Sequence, residues 1–186
     1  MIQTRQDLRD YLQTERQRFW HLQSQFGEIN ILFTTPINNQ RAIWNYLFNL
    51  RHLEYHLNNT GLFHKTARLF YAWRLRKLGY KTGFQIPPNT CGKGLMIWHW
   101  GTIIINPKAR LGENCTLHPM VVIGHKQKDG AAPIIGKNVE IFSGACITGD
   151  ITIGNNVTIA PNAVVVKDIP GNAVVGGIPA KIIKSK

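Results

Sequence analysis

Histidines are the side chains best suited to acid–base chemistry in this sequence, and three of them occupy distinctive positions. His99 lies between two tryptophans, Trp98 and Trp100, His118 directly follows an aliphatic residue, and His125 opens a polar segment. An imidazole titrates near neutral pH, so each can take up or release a proton under physiological conditions. The three are therefore candidate site residues.

A second histidine pattern is weaker. His52 and His56 are four residues apart in a segment with helical periodicity, which would place both on one helix face and permit shared metal binding. No third metal ligand is evident nearby in the sequence, and the HExxH order is absent. We interpret the pair as part of a polar helix face, and no metal is expected.

A six-residue repeat from Ile105 to about Gly171 must position the histidines of the second half of the chain. An aliphatic residue recurs at Leu111, Leu117, Ile123, Ile135, Ile141, Ile147, Ile153, Ile159 and Val165. Four places later, small or β-branched residues recur at Cys115, Val121, Val139, Ala145, Ile151, Val157 and Ala163. A fixed short period predicts a solenoid, in which three units close a triangular coil of about eighteen residues.

One segment interrupts this repeat. Ile123 and Ile135 stay in phase across residues 125–134, but a regular coil would bury Asp129, which is costly for a charged group. We therefore predict a loop over 125–134 that is extruded from the solenoid.

The first 85 residues have helical periodicity instead. A first helix is predicted across Leu8 to Leu22, and Pro36 with Asn38 separates it from a second. Two further apolar stripes run through Ile43, Leu47, Leu50, Leu53 and Leu57, and through Phe63, Ala67, Phe70 and Trp73. The prediction is a mainly β protein with an α-helical N-terminal module over 1–85 and a β-solenoid over 86–186.

The composition indicates the charge of a partner and the cellular compartment, but it does not identify the partner. The 186 residues carry a formal net charge of +12, which favours anionic partners: nucleic acid, an anionic membrane face, a nucleotide-bearing cofactor or an anionic glycan. No apolar run is long enough for a membrane-spanning helix, and the N-terminus has no apolar signal core. Three cysteines without a CxxC pair fit a reducing compartment, so we expect a cytoplasmic protein with no transmembrane segment.

Three segments carry a resemblance to a known family. Residues 94–106 (GLMIWHWGTIIIN), 116–124 (TLHPMVVIG) and 176–181 (GGIPAK) resemble the hexapeptide-repeat acyltransferases of the serine acetyltransferase-like family. Residues 50–58 (LRHLEYHLN) resemble its capsular and exopolysaccharide O-acetyltransferases, to which the chain looks most similar. The resemblance implies a left-handed parallel β-helix.

The same resemblance implies transfer of an acetyl group from acetyl-CoA to a hydroxyl. His99 would be the base, and His118 a second active-site residue that orients the acceptor or the intermediate. Serine acetyltransferases carry an acidic residue where this chain has Trp98, and an Arg-His pair where it has Ala131 and Ala132. Because an arginine suits a carboxylate, a sugar or polysaccharide hydroxyl is the expected acceptor, with L-serine as the alternative.

Binding residues are implied in the same way. Trp98 and Trp100 would frame the acceptor, with His125 as a weaker candidate. The residues expected to meet acetyl-CoA are coil corners and tail lysines, namely Gly124, Ser143, Gly144, Ala160, Pro161, Lys181 and Lys184. A homotrimer with sites shared between subunits is expected, and nucleic acid is not expected as a partner.

The sequence leaves open two alternative functions and the register of the coil that carries His99. A zinc hydratase of the γ-carbonic-anhydrase type would use His99, His118 and His125 as ligands, and a non-enzymatic protein would use the basic surface to bind anionic polymers. His99 is six residues before Ile105, so a strict six-residue count would point it inward. A competing phase through Ile97 and Ile103 would point it outward.

Overall fold

The structure is a computed structural model that describes residues 1–25, 39–127 and 130–186, without the side chains of 20–25 and 39. It divides into two compact units, Met1–Thr82 and Gly83–Lys186. None of its described helices has the length and apolar character needed to cross a bilayer.

The described residues of the first unit form three helices, α1 (Arg5–Gln25), α2 (Asn39–Leu57) and α3 (Leu62–Thr82). Thr4 caps α1: its hydroxyl accepts a hydrogen bond from the backbone N–H of Asp7, whose carboxylate accepts one from the N–H of Thr4. The predicted first helix lies within α1, whereas Pro36 and Asn38 lie outside the described residues.

Helix α2 buries the predicted apolar stripe and one charged network. Its stripe residues Ile43, Leu47, Leu50 and Leu53 are buried, while Leu57, its last residue, is exposed. Beside them Arg51 is fully buried, and its guanidinium donates hydrogen bonds to Glu15 of α1 at 2.6 Å and to Glu54 at 2.8 Å. The carboxylates in turn hold the pKa of Arg51 well above its ordinary value, despite the opposing effect of burial. This network joins α1 to α2.

The predicted stripe on α3 is wrong, because the helix carries apolar side chains on opposite sides. Phe63, Phe70 and Trp73 are exposed, whereas Leu75 is buried and Tyr71 is half-buried. The Tyr71 ring stacks on His52 of α2 at a centroid distance of 4.9 Å. Aromatic stacking therefore selects the side of α3 that faces α2.

The histidine pair of α2 consequently does not form a solvated polar face. The ring of His56 also stacks on Tyr71, and its Nδ1 lies 2.9 Å from Nδ1 of His64. Burial lowers the pKa of His52 and of His56, with a smaller contribution from neighbouring histidines. Within the part of the chain that the structure describes, no cluster of three histidine, cysteine or carboxylate side chains is arranged to hold a metal ion.

In the second unit, the residues that the structure describes form fourteen short strands in three sheets. Sheet A contains, in spatial order, β1 (Phe84–Gln85), β3 (Ile103–Ile105), β6 (Val121–Gly124), β9 (Cys146–Thr148) and β12 (Val164–Val165). Sheet B contains β4 (Arg110–Leu111), β7 (Ile134–Ile135) and β10 (Thr152–Ile153). Sheet C contains β2 (Met96–Ile97), β5 (Thr116–Leu117), β8 (Glu140–Ile141), β11 (Thr158–Ile159), β13 (Ala173–Gly177) and β14 (Ala180–Ser185).

These strands form a left-handed parallel β-helix, as the resemblance implied. Every strand pairing is parallel except that of β13 with β14, so the predicted C-terminal tail folds back as an antiparallel edge strand of sheet C. All residues of the two repeating columns are buried, which confirms the six-residue repeat as the packing unit. Each coil covers the apolar column of the next.

The turn from sheet B to sheet C carries a ladder of asparagines. Asn114, Asn138, Asn156 and Asn172 all adopt φ between 54° and 58°, a left-handed conformation that asparagine tolerates better than most residues. The Nδ2 of Asn138 donates to Oδ1 of Asn156, and the Nδ2 of Asn156 donates to Oδ1 of Asn172. One residue type thus shapes each turn and links successive coils.

The boundaries of the solenoid differ slightly from those predicted. Phe84 and Gln85 pair with Ile103 and Ile104, so the first coil begins before residue 86. Ile134 pairs with its neighbours in sheet B, so the loop after β6 ends at Pro133. Asp129, with residue 128, lies outside the described residues.

Candidate active site

The structure resolves the register conflict at His99 by enlarging one corner. Ile97 pairs with Leu117 in sheet C, and Ile103 pairs with Val121 in sheet A. Five residues, 98–102, therefore span the corner that residues 118–120 span on the next coil. Both Ile97 and Ile103 are fully buried, so the extra residues bulge outward and His99 is exposed.

A glycine allows this enlarged corner to lie close to the next coil. Gly101 has φ of 141°, and a Cβ atom at this position would approach Cβ of Pro119 to 3.0 Å. The conformation and the close approach both favour glycine. The corner that carries His99 is thus fixed against the corner that carries His118.

Aromatic side chains stack along this edge of the β-helix. Trp98, His118 and Phe142 each follow the last residue of a sheet C strand on successive coils. The His118 ring lies 4.5 Å from that of Phe142, with 16° between the planes, and 5.8 Å from that of Trp98, with 21° between them. His118 is therefore held between two aromatic faces.

One ring nitrogen of His118 lacks a hydrogen-bond partner among the described residues. Its Nε2 is buried and has no hydrogen-bond partner among the described residues, although Oε1 of Glu140 approaches to 3.5 Å. This approach is a polar contact that becomes an ion pair only when His118 is protonated. Burial lowers the pKa of His118 and His99 lowers it further, while Glu140 acts in the opposite direction. A buried imidazole nitrogen without a hydrogen-bond partner is uncommon in folded proteins, which marks this corner as a candidate site.

The other predicted acceptor residues are distributed over two corners. The Trp98 ring lies 6.4 Å from that of His99, and Trp100 is exposed on the same enlarged corner. His125 is also exposed, but it follows β6 of sheet A and so belongs to the next corner of the coil. The structure thus groups Trp98, His99 and His118 and leaves His125 outside that group.

Most of the predicted acetyl-CoA residues follow sheet C. Ser143 with Gly144, and Ala160 with Pro161, occupy the corners directly beyond the one that carries His118. Gly176 lies against Ala160 and pairs with Lys181 of β14, which brings this exposed lysine to the same edge. These predicted residues share an edge with the histidines.

Two predicted residues lie elsewhere. Lys184 is exposed further along β14, opposite Val174, and Gly124 ends β6 at the corner with His125. A recess of about 410 Å³ opens at the Gly124 corner, bordered in part by Lys126, Ala131 and Asp150. The chain therefore presents a concave surface beside the loop, away from the corner that carries His99 and His118.

Sequence reasoning missed Glu140 and Phe142. Both contact His118 from the next coil, although they are more than twenty positions away in sequence. Residues one coil apart stack directly, so counting one coil plus the inserted loop onward from His118 reaches this pair. Their contacts indicate positioning of the His118 ring.

Glu140→Gln is expected to move the acid limb of the pH–kcat profile to lower pH. Loss of the carboxylate removes the contribution that raises the pKa of His118, so the neutral imidazole would persist further into acid. A decrease in kcat of less than about tenfold should accompany the shift, because the ring stays stacked on Phe142.

Glu113→Gln is the matched control for that variant. Glu113 forms an exposed ion pair with Lys137 at 3.0 Å, on the turn between sheets B and C. An unchanged pH profile is expected for it. A Glu140→Gln limb that stays in place, or that moves to higher pH, would contradict the positioning role.

Comparisons with known proteins agree with this architecture. Residues 132–167 match the family model described as bacterial transferase hexapeptide (six repeats). The second unit is a hexapeptide-repeat solenoid. The chain is 39% identical over 106 residues to a serine acetyltransferase from Staphylococcus xylosus, covering 55% of this chain and 49% of the relative. A serine acetyltransferase from Staphylococcus epidermidis is 35% identical over 127 residues, covering 66% of this chain and 60% of the relative.

Solved structures with the same fold are similar over nearly the whole chain. A Neisseria gonorrhoeae serine acetyltransferase in complex with serine gives a TM-score of 0.68 at 23% identity, covering 97% of this chain and 70% of that one. A Brucella abortus serine acetyltransferase in complex with coenzyme A gives 0.70 at 22% identity, covering 98% and 70%. This likeness shows the fold.

The comparisons alter one expectation from the sequence. The similar proteins named above are serine acetyltransferases, so greater similarity to capsular O-acetyltransferases, and with it a role in polysaccharide biosynthesis, is not supported. The nine residues 50–58 are a much shorter basis for similarity than the 106 residues matched to a serine acetyltransferase. The chain spans about half the length of the first curated relatives that it matches.

Proposed function

We propose that this protein is an acetyl-CoA-dependent O-acetyltransferase that moves an acetyl group from a thioester to a hydroxyl. The observation that carries the proposal is the pairing of His99 and His118 at one corner of adjacent coils, linked through Trp98. Support comes from the similarity to serine acetyltransferases, one of which was solved with coenzyme A.

The corner provides what the reaction requires. Exposed His99 would take the proton of the acceptor hydroxyl as its oxygen attacks the thioester carbonyl. The carbon–sulfur bond then breaks, and the coenzyme A sulfur leaves with the proton returned by the imidazolium. His118, whose pKa is lowered by burial, would orient the acceptor or the intermediate from the adjacent coil.

Coenzyme A would lie along the edge beyond the histidines. The corners at Ser143–Gly144 and Ala160–Pro161 carry small side chains that leave the backbone accessible to an extended chain. Exposed Lys181, at the same edge, would contact its phosphates through charge-assisted hydrogen bonds. We also propose a homotrimer, in which neighbouring β-helices complete each binding groove.

L-serine is the acceptor that the comparisons favour. The similar proteins named above are serine acetyltransferases, and one of them was solved in complex with serine. This reverses the order of acceptors expected from the sequence. The small acceptor would have to be held without the Arg-His pair that the resemblance places at Ala131 and Ala132.

A sugar hydroxyl is the second candidate, and two observations favour it. Ala131 and Ala132 offer no cation for an amino-acid carboxylate, and the corner beside His99 presents Trp98 and exposed Trp100. Indole faces commonly pack against sugar rings. A neutral acceptor would not need a bidentate cation.

An acceptor screen tests the function. Purified full-length protein would be incubated with acetyl-CoA and either L-serine, nucleotide sugars or oligosaccharides, and thiol release would be measured. Acceptor-dependent thiol release is expected, and the acceptor with the highest kcat/KM decides between the two candidates. Absence of release with every acceptor would favour the anionic-polymer binder, whereas stoichiometric zinc in the purified protein would favour the hydratase.

A further inference from the structure

The outward side of α3 carries a continuous apolar surface. Leu62, Leu69, Trp73 and Tyr80 recur at spacings of seven, four and seven, which places them on one side of the helix. Their exposed fractions are 78%, 71%, 54% and 78%. With the adjacent exposed row of Phe63 and Phe70 they form what we call the α3 outer face. It extends along roughly 27 Å of helix.

The packing of α3 within its own unit leaves this surface uncovered. Helix α3 packs on α2 through the opposite side, where Leu75 is buried and Tyr71 stacks on His52. Six large apolar side chains exposed side by side exceed the scattered apolar residues of an ordinary surface. Such a face indicates binding to another apolar surface.

The charge of α3 specifies the chemistry of that surface. The helix contains no acidic residue, and its six cations are Lys65, Arg68, Arg74, Arg76, Lys77 and Lys81. Three of these lie over exposed rings: Lys77 is 4.1 Å from the centroid of Trp73, Arg76 is 5.9 Å from that of Tyr80, and Arg74 is 5.6 Å from that of Phe70. Cationic groups therefore border the apolar face along most of its length.

We propose that the α3 outer face binds the surface of a lipid bilayer that contains anionic lipid, with the helix axis lying in the plane of the bilayer. Phe, Trp and Leu side chains would enter the boundary between headgroups and acyl chains, and the bordering cations would contact anionic headgroups.

A second copy of the same face is a poorer occupant. Pairing two α3 outer faces would bring Arg74, Arg76 and Lys77 of one helix toward their counterparts on the other, and α3 has no acidic residue to compensate them. Like charges at such distances repel each other. The membrane proposal is independent of the proposed activity, since it concerns the helical unit and is tested by binding.

Co-sedimentation of the full-length protein with vesicles tests the proposal. Vesicles of equal parts phosphatidylglycerol and phosphatidylcholine should bind the wild type, and vesicles of phosphatidylcholine alone should bind it far more weakly. The variant Phe70→Ser/Trp73→Ser should weaken binding by about tenfold or more, because two aromatic anchors are lost. Arg74→Glu/Lys77→Glu should abolish the preference for anionic vesicles, and added salt should weaken wild-type binding.

Ile134→Ser is the matched control, because Ile134 is an exposed aliphatic residue outside α3 and its variant should bind like the wild type. Retained helical circular dichroism would show that the α3 variants are folded. The proposal is overturned if the wild type ignores anionic vesicles, binds neutral ones equally well, or is unaffected by Phe70→Ser/Trp73→Ser. A smaller oligomer for that variant in lipid-free sedimentation, with unchanged vesicle binding, would instead assign the face to a second copy.

Discussion

His99→Ala is expected to lower the rate of acetyl transfer by about two to four orders of magnitude, the range typical for loss of a general base. His99 is exposed on the enlarged corner, so its removal should leave the β-helix and its oligomeric state unchanged. The measurement is acceptor-dependent thiol release from acetyl-CoA, combined with sedimentation to verify assembly. Both kcat and kcat/KM should fall together, because the lost interaction belongs to the transition state.

His125→Ala is the matched control for this experiment. His125 is an equally exposed histidine in the same unit, but it lies at the next corner of the coil. Its replacement should change the rate far less than that of His99. A fully active His99→Ala protein would refute the proposed mechanism, and a larger loss in His125→Ala would move the site toward the recess beside the loop.

The second large effect concerns stability. Arg51→Ala should reduce the free energy of unfolding by about 3–5 kcal/mol, because it leaves the buried carboxylates of Glu15 and Glu54 without their cation. Unfolding in urea, followed by the helical circular dichroism signal, measures this loss. Since Glu15 and Arg51 join α1 to α2, the variant should also lose cooperativity in the helical unit.

Two control variants distinguish the effect of leaving buried charges unpaired from the effect of losing an ordinary ion pair. Lys137→Ala breaks the exposed ion pair with Glu113 and should cost less than about 1 kcal/mol. Replacing all three members by apolar residues, as Glu15→Leu/Arg51→Met/Glu54→Leu, removes the unpaired charges and should recover most of the stability lost in Arg51→Ala. If Arg51→Ala proves as mild as Lys137→Ala, the network does not stabilise the unit.

The sequence predicts the solenoid well because its repeat is a packing rule. A column such as Leu117, Ile141 and Ile159 needs one aliphatic residue at the same position of every coil, and that requirement is visible along the chain. The corner at His99 breaks the rule, since an enlargement changes the count without changing the strands. Only the pairing of Ile97 with Leu117 and of Ile103 with Val121 reveals which phase the chain follows.

The helical unit is harder to predict from spacing alone. Helix α3 carries apolar residues on two sides, so periodicity does not determine which side packs on α2. The choice depends on contacts between elements, above all the stacking of Tyr71 on His52 and His56. The partners of His118 escape a linear reading for a similar reason, because Glu140 and Phe142 are neighbours only through the stacking of coils.

The asparagine ladder has a consequence for chemical ageing. Conversion of Asn156 to aspartate would keep the turn but exchange an amide donor for a second carboxylate oxygen, which would face Oδ1 of Asn172. The link from Asn138 would then end on a charged acceptor. Deamidation of Asn156 would therefore weaken its contacts with the coils on both sides. The stability of the β-helix during long incubation at high temperature should decrease as these side-chain amides hydrolyse.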